Sequence, residues 1–505
     1  MQLKNAILKS QRDAMIKRFI SLLLMTLILG SCAPATVSVT PPPTTTLPPT
    51  RTPRPTQTAI PTRTSYPPLQ TDGPYLLFTY DNKNFTIMDA DGSGRKQFQL
   101  PNDGYTTSWR LEDAVSPDGK WLAYFTGSID EPYDLAINLL DLKNETTFPV
   151  ANLIAPGFPE NMEPVTKVLR FDNCSNTECK TSLFRIGLIE GIKSLEWSPD
   201  SKLLAFSAQI DSFSSDIYVF SVGDKTVARI TNEPENIYRI FWSPSGEKIL
   251  YDASIEGSSY SISTIWHLAD LMGAIPQNPI ALTEELPWRS LGWFNEDLYF
   301  ISTAIDSPVY VDTGYIDIES KETKIIWPYI TESMTIDSEN DRIILSFMPY
   351  EINNPEITAG TYLLYLDGTF TKISDETFYL FPEQISFDSY LAMGKNSSLV
   401  SILPDGSITN FAQTVSYQNT PRMSPDKRWV IIRRDYVTQL FSKNIQLMKS
   451  WNIDMSETIW RTDSRGAFLY DRDKLYYLTI PDGTPISIDF CIAKSCQLIY
   501  YVWLP

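Results

Sequence analysis

One short pattern limits what this chain can fold into. Ser-Pro-Asp-Gly, or a close variant, recurs between an aromatic or aliphatic residue and a run of β-formers. Four copies are clear: Val115-Ser116-Pro117-Asp118-Gly119-Lys120-Trp121-Leu122, Trp197-Ser198-Pro199-Asp200-Ser201-Lys202-Leu203-Leu204, Trp242-Ser243-Pro244-Ser245-Gly246-Glu247-Lys248-Ile249 and Met423-Ser424-Pro425-Asp426-Lys427-Arg428-Trp429-Val430. Ser at the first position, Pro at the second and Gly at the fourth suit a type I turn, because proline presets φ and the serine side chain bonds back to the turn backbone. The flanking residues favour strands. Each copy is therefore a hairpin, with strand a before the turn and strand b after it.

Weaker copies fill the intervals, at Trp293–Phe300, Ile336–Leu345, Phe387–Ala392 and Trp460–Leu469. Second strands follow at Asp216–Phe220 and Thr361–Leu366, and turns such as Asp367-Gly368 and Pro404-Asp405-Gly406 lead to a last strand. Counting b-strands gives positions near Leu77, Leu122, Leu204, Leu250, Tyr299, Ile344, Leu391, Val430 and Phe468. A period of about 40–50 residues fits four-stranded blades. These residues resemble the TolB-type, or WD40-like, propeller repeat, which is also found in the propeller domains of prolyl-oligopeptidase relatives. Ile87-Met88-Asp89-Ala90-Asp91-Gly92-Ser93-Gly94-Arg95 is similar to that family's hairpin between the third and fourth strands. The resemblance covers residues 75–490 and implies an all-β fold, one closed propeller of four-stranded antiparallel blades. The motif residues are structural, so it carries no activity with it.

The first unit, from Tyr75, has no strand a, and the apolar run Gln497–Leu504 has no strand b after it. Pairing the two would close the ring and remove an open edge. Taken literally, the count is nine blades. Eight is the more usual size of a large propeller, and the expectation is eight within a range of seven to nine. Two stretches break the period: an extra loop around residues 150–190, and Ile265 to Gln277, which reads as an insertion with helical character.

The N-terminus is an address. Lys4, Lys9, Arg12, Lys17 and Arg18 precede the apolar run Phe19–Leu29, which is too short to span a bilayer but has the length of a signal-peptide core. Leu29-Gly30-Ser31-Cys32 resembles the bacterial lipobox, which makes Cys32 the candidate lipidation site and residues 1–31 a lipoprotein signal. Its removal takes five bases and one acid, moving the net charge from −18 to −22. Residues 32–72 form a tether: Ala33–Asp72 holds 11 Pro and 12 Thr in 40 residues. Proline density forbids helix and sheet, so the segment is extended. Residues 73–505 remain for the propeller.

Four cysteines are left. Cys174 and Cys179 are spaced C-x₄-C, and so are Cys491 and Cys496. In an exported protein this favours two local disulfides over a Cys₄ zinc site. No metal and no cofactor is expected. An acidic chain is a poor match for nucleic acid. Asp89-Ala90-Asp91-Gly92-Ser93-Gly94 has the carboxylate spacing of a calcium loop, but position 12 is Leu100, and a hairpin tip is the preferred reading. His267 is the single histidine, and no G-x-S-x-G occurs, so His267 is expected to be structural rather than part of a triad. A pair of funnel carboxylates could still cleave a glycan. The preferred function is a non-enzymatic, monomeric binding or scaffold module, held to the cell membrane through Cys32 and facing an envelope protein or glycan. A carbohydrate- or peptide-processing enzyme is the alternative.

Overall fold

A computed structural model describes residues 67–106, 111–127, 134–154, 194–254, 265–271, 280–347, 357–414, 421–488 and 500–505, less segments of one to four residues within those ranges. Residues Ser65–Pro505 form one compact unit. The signal, Cys32 and all four C-x₄-C cysteines lie outside the described residues.

The unit is a nine-bladed propeller. Eight sheets have four strands and one has three, all antiparallel. Strands b lie at Tyr75–Thr79, Trp121–Thr126, Leu203–Ala208, Lys248–Ser254, Leu298–Asp306, Arg342–Phe347, Ser389–Met393, Trp429–Arg434 and Gly466–Asp471, and they number blades 1 to 9. Each contains its sequence-predicted position. The blade count is thus the literal nine rather than eight, because none of the weaker copies is an insertion: each one builds a full sheet. Ile265–Asp270 is a second correction. It is strand c of blade 4, paired along its length with strand b, and not a helical insertion.

Closure takes the expected form. Blade 1 draws its inner strand from the C-terminus, with Tyr500–Leu504 antiparallel to Tyr75–Thr79 and Leu77 opposite Val502. The core agrees. It is divided into nine apolar clusters, and each fills the seam between two neighbouring blades. The ninth joins blade 9 to blade 1 through Phe468, Tyr477 and Ile488 against Leu76, Phe78 and Met88. A strand packed on both faces must be apolar on both, which is why the b-strands read as continuous hydrophobic runs (Trp-Leu-Ala-Tyr-Phe, Leu-Leu-Ala-Phe) rather than alternating ones. Blade 2 is the irregular member. Its strand a is reduced to two bridges, Val115 to Leu122 and Tyr105 to Phe125, beside the helical turn Leu111–Ala114.

The repeated turn carries the same bonds from blade to blade. Ser116 Oγ donates to Asp118 Oδ1 (2.7 Å) and accepts from the Trp121 amide (3.0 Å), while the Gly119 amide closes on the Ser116 carbonyl (2.8 Å). Ser198 with Asp200 and Ser424 with Asp426 repeat this arrangement. The fourth turn residue is left-handed (φ +69° at Gly119, +62° at Ser201, +59° at Lys427), a conformation that favours glycine and is reached at some cost by the others.

The turns also tie blades together. The amides of Asp118 and Asp426 donate to Ser201 and Ser464 in the next blade, both at 2.9 Å. The tryptophan before the turn reaches the other way. The indole N–H groups of Trp197, Trp242 and Trp460 donate to the carbonyls of Ala114, Glu196 and Arg422 in the preceding blade, at 3.2, 3.0 and 3.1 Å. At the outer rim, Lys96 pairs with Glu145 (2.6 Å) and Lys449 reaches the Asp482 carbonyl (2.7 Å), each bridging to the following blade.

Candidate functional site

The residues singled out from sequence resolve as follows. Asp89 is fully buried at the start of the hairpin tip. Its carboxylate accepts from the Gln70 amide (2.8 Å), the Thr71 amide (3.2 Å) and Thr71 Oγ1 (2.6 Å), and so fastens the incoming chain to blade 1. Among the described residues, no group of three His, Cys, Asp or Glu side chains is placed to hold a metal. His267 lies on strand c of blade 4, buried, with its ring stacked on Tyr251 at 5.1 Å. Burial lowers its pKa to about 4 against the opposing pull of Asp252, so the imidazole is neutral at physiological pH. His267 faces Tyr251 across the ladder, whereas Asp252 faces Trp266. Histidine and carboxylate therefore project from opposite sides of one sheet, and the two do not make a catalytic dyad.

Two other fully buried carboxylates serve the sheets, Asp337 across a seam and Asp252 within its own blade. Asp337 accepts from Arg342 (3.0 Å), Asn340 (2.9 Å) and Tyr390 of the next blade (2.9 Å). Asp252 accepts from Arg239 Nε (2.9 Å) and Nη2, and the guanidinium lies 5.6 Å from the Trp266 ring centre. The Asp252 carboxylate is buried while the Arg239 side chain is 41% exposed, so the pair neutralises a buried acid and fixes the a–b register of blade 4.

A different kind of place lies where blade 2 meets blade 3. Strand d of blade 2 (Thr147–Asn152) and strands c and d of blade 3 (Asp216–Ser221, Thr226–Arg229) border a cleft of about 460 Å³. That is within the usual range of roughly 300–1,000 Å³ for ligand clefts. A parallel bridge from Ile154 to Gln209 fixes the two blades at its end. Val150, Ala151, Ile154, Ile210 and Val227 give it apolar walls. Asn152, Asp211, Tyr218 and Arg229 are the polar members.

Arg229 organises that polar set. It stands opposite Tyr218 in the ladder. Its Nη2 reaches Asp216 Oδ2 (2.7 Å) and Asn232 Oδ1 (2.6 Å), its Nε the Thr231 carbonyl (2.8 Å), and its Nη1 Asp211 Oδ1 (3.2 Å). Asp216 is fully buried and takes a further bond from Thr231 Oγ1 (2.9 Å). The Tyr218 hydroxyl donates to Asp211 Oδ1. Burial and, after it, the Asp211 carboxylate raise the Tyr218 pKa, so the phenol keeps its proton. By formal count the cluster holds two carboxyl groups and one guanidinium, one more acid than base. The Asp211 side chain is 58% exposed, so its carboxyl group is open to solvent at the mouth.

Sequence reasoning did not find this site. Arg229 and Asp216 are 13 residues apart on two strands of ordinary β composition, and only the ladder register brings them together.

No family model matches the chain. A curated relative, the uncharacterized peptidase YuxL of Bacillus subtilis (strain 168), is 34% identical over 64 residues; these are 12% of this chain and 10% of that protein, so the match spans about a tenth of the relative's length. Solved structures similar to this chain include dipeptidyl peptidase 4 of Porphyromonas gingivalis (12% identity, 84% of this chain and 66% of that one, TM-score 0.45). Two others are apo AztD of Citrobacter koseri (8% identity, 85% and 97%, TM-score 0.40) and TolB of Acinetobacter baumannii (14% identity, 74% and 62%, TM-score 0.25).

Proposed function

We propose that this protein is a lipid-anchored envelope protein whose propeller is a non-catalytic binding module for a protein or glycan partner. The observation that carries this reading is the use made of its buried acids. Asp89, Asp216, Asp252 and Asp337, all fully buried, are engaged in bonds that hold blades or the incoming chain, and the lone histidine is neutral and turned away from the nearest of them. General acid–base chemistry needs a titratable group held near a reacting atom; these groups are committed to structure. The blade 2–3 cleft supplies concavity, apolar walls and a few fixed polar groups, which is what a binding surface requires.

The anchoring half of the reading rests on Leu29-Gly30-Ser31-Cys32 and the Pro/Thr tether. A fatty-acid analogue fed to expressing cells should label the wild-type chain and leave Cys32→Ser unlabelled; equal labelling of both would end the lipoprotein assignment. The two C-x₄-C pairs are proposed as local disulfides, and non-reducing peptide mapping should return Cys174 with Cys179 and Cys491 with Cys496. The enzymatic alternative keeps one observation, the 64-residue likeness to a protein named a peptidase. Release of peptide or sugar fragments by the purified chain would favour it.

A further inference from the structure

We infer that the blade 2–3 cleft takes a lysine or arginine side chain from a basic, aliphatic segment of a partner protein; this rests on the binding-module reading above. The acceptor is Asp211. One of its oxygens, Oδ1, receives both Tyr218 and Arg229 Nη1. Oδ2 is left for a donor from outside, on a side chain 58% exposed. Arg229 has little to offer an anion there, because Asp216, Asn232, the Thr231 carbonyl and Asp211 take four of the five guanidinium N–H groups. The cluster holds one more acid than base, and an anionic ligand would meet it unfavourably. A cation is attracted, and the whole chain's net charge of −18 adds a long-range field of the same sign.

The walls choose among cations. Val150, Ala151, Ile154 and Val227 match the methylene stem of lysine or arginine, which covers apolar surface while its head stays polar. A bare metal ion would leave that surface wet. Val227 stands on an outer strand and is 36% exposed, so an approaching segment meets it directly. The fixed bonds around Arg229 hold Asp211 in place before a ligand arrives, which lowers the ordering cost of binding.

The test uses fluorescence anisotropy with the purified chain carrying Cys32→Ser. The probes are three labelled peptides, one with alternating lysine and leucine, one with norleucine for lysine and one with glutamate for lysine. We expect the lysine peptide to bind at least tenfold more tightly than either of the others, and the preference to shrink at high salt. Asp211→Asn keeps the Tyr218 contact geometry and should remove the preference. Val150→Lys, on the outer strand of blade 2, should remove it by placing an ammonium in the cleft, with an unchanged circular dichroism spectrum as the check on its fold. Asp405→Asn, an exposed turn aspartate elsewhere, should leave it unchanged. Equal binding of lysine and norleucine peptides, or equal losses in Asp405→Asn and Asp211→Asn, would overturn the assignment. If Asp211→Asn lowers thermal stability, Val150→Lys decides alone. A natural partner that binds wild type and Val150→Lys alike would leave the module reading standing and sink the cleft assignment.

Discussion

The last strand should govern the stability of the whole ring, and two side chains measure how much. Leu504 is 5% exposed and packs in the blade 1–2 seam, where Gly119 and Leu122 meet it. Trp503 points the other way, into the blade 9–1 seam, with its ring centre 6.1 Å from that of Phe468. Truncating a buried leucine to alanine costs ~2–5 kcal/mol, transfer and cavity together. A half-buried tryptophan contributes on the order of 1.5–3 kcal/mol by area. The two residues share no cluster, so the sum of the two losses, about 3.5–8 kcal/mol, is the expectation for Trp503→Ala with Leu504→Ala. A domain of ordinary stability holds about 5–15 kcal/mol in total. The double variant should therefore unfold globally at clearly lower urea and temperature, with loss of amide protection in every blade. Ile486→Ala, at a position 60% exposed on an outer strand, is the control and should change stability by less than ~0.5 kcal/mol. If the double variant unfolds with the control, or loses protection only in Tyr75–Thr79 while other blades keep theirs, the ring is not a single closed cooperative unit.

Other outcomes follow from single residues. His267, held near pKa 4 when folded against its usual 6.5, makes unfolding more favourable as pH falls through that window, because the unfolded chain binds the proton first. The stability advantage of wild type over His267→Gln should shrink by about 3 kcal/mol between pH 7 and pH 4, read from urea midpoints; a constant difference would contradict the buried, neutral ring. Gly119→Ala places a Cβ 2.6 Å from Pro505 Cδ on a residue at φ +69°, and should cost ~1–3 kcal/mol and loosen the closing strand in hydrogen exchange. Asp89→Ala removes the acceptor for Gln70 and Thr71, and limited proteolysis before Asp72 should accelerate about tenfold or more while cleavage elsewhere is unaltered.

The architecture was legible because its signals are local. A Ser-Pro-Asp-Gly turn declares a hairpin by its own dihedral preferences, and four clear copies with four weaker ones in order leave few alternatives to a ring. Closure was legible for a related reason, since Tyr75 lacked an inner partner and Tyr500–Leu504 lacked an outer one. Ile265–Asp270 was misread because its Ile-Trp-His-Leu-Ala-Asp composition gives no clean period, and its ladder with strand b of blade 4, not its own sequence, makes it a strand. The cleft was illegible for a deeper reason. Asp211, Tyr218 and Arg229 lie on separate strands or loops, and each alone is an ordinary β-sheet or surface residue. Their meeting depends on the c–d register of blade 3 and on the Ile154–Gln209 bridge to blade 2. Inter-blade tryptophans were half legible. Trp197, Trp242 and Trp460 read from sequence as strand residues before the turn, but their donation to the preceding blade needs the curvature of the ring.

The central claim, a binding module presented on a lipid anchor, is tested most directly by photo-crosslinking from the cleft in intact cells. A benzophenone amino acid replaces Val150 in one strain and Ile486, on a distant outer strand, in another. The account predicts a discrete adduct from position 150, absent or sharply reduced when Asp211→Asn or Cys32→Ser is added, and none from position 486. Equal adducts from both positions, or a position-150 adduct that persists in Asp211→Asn and Cys32→Ser alike, would contradict it.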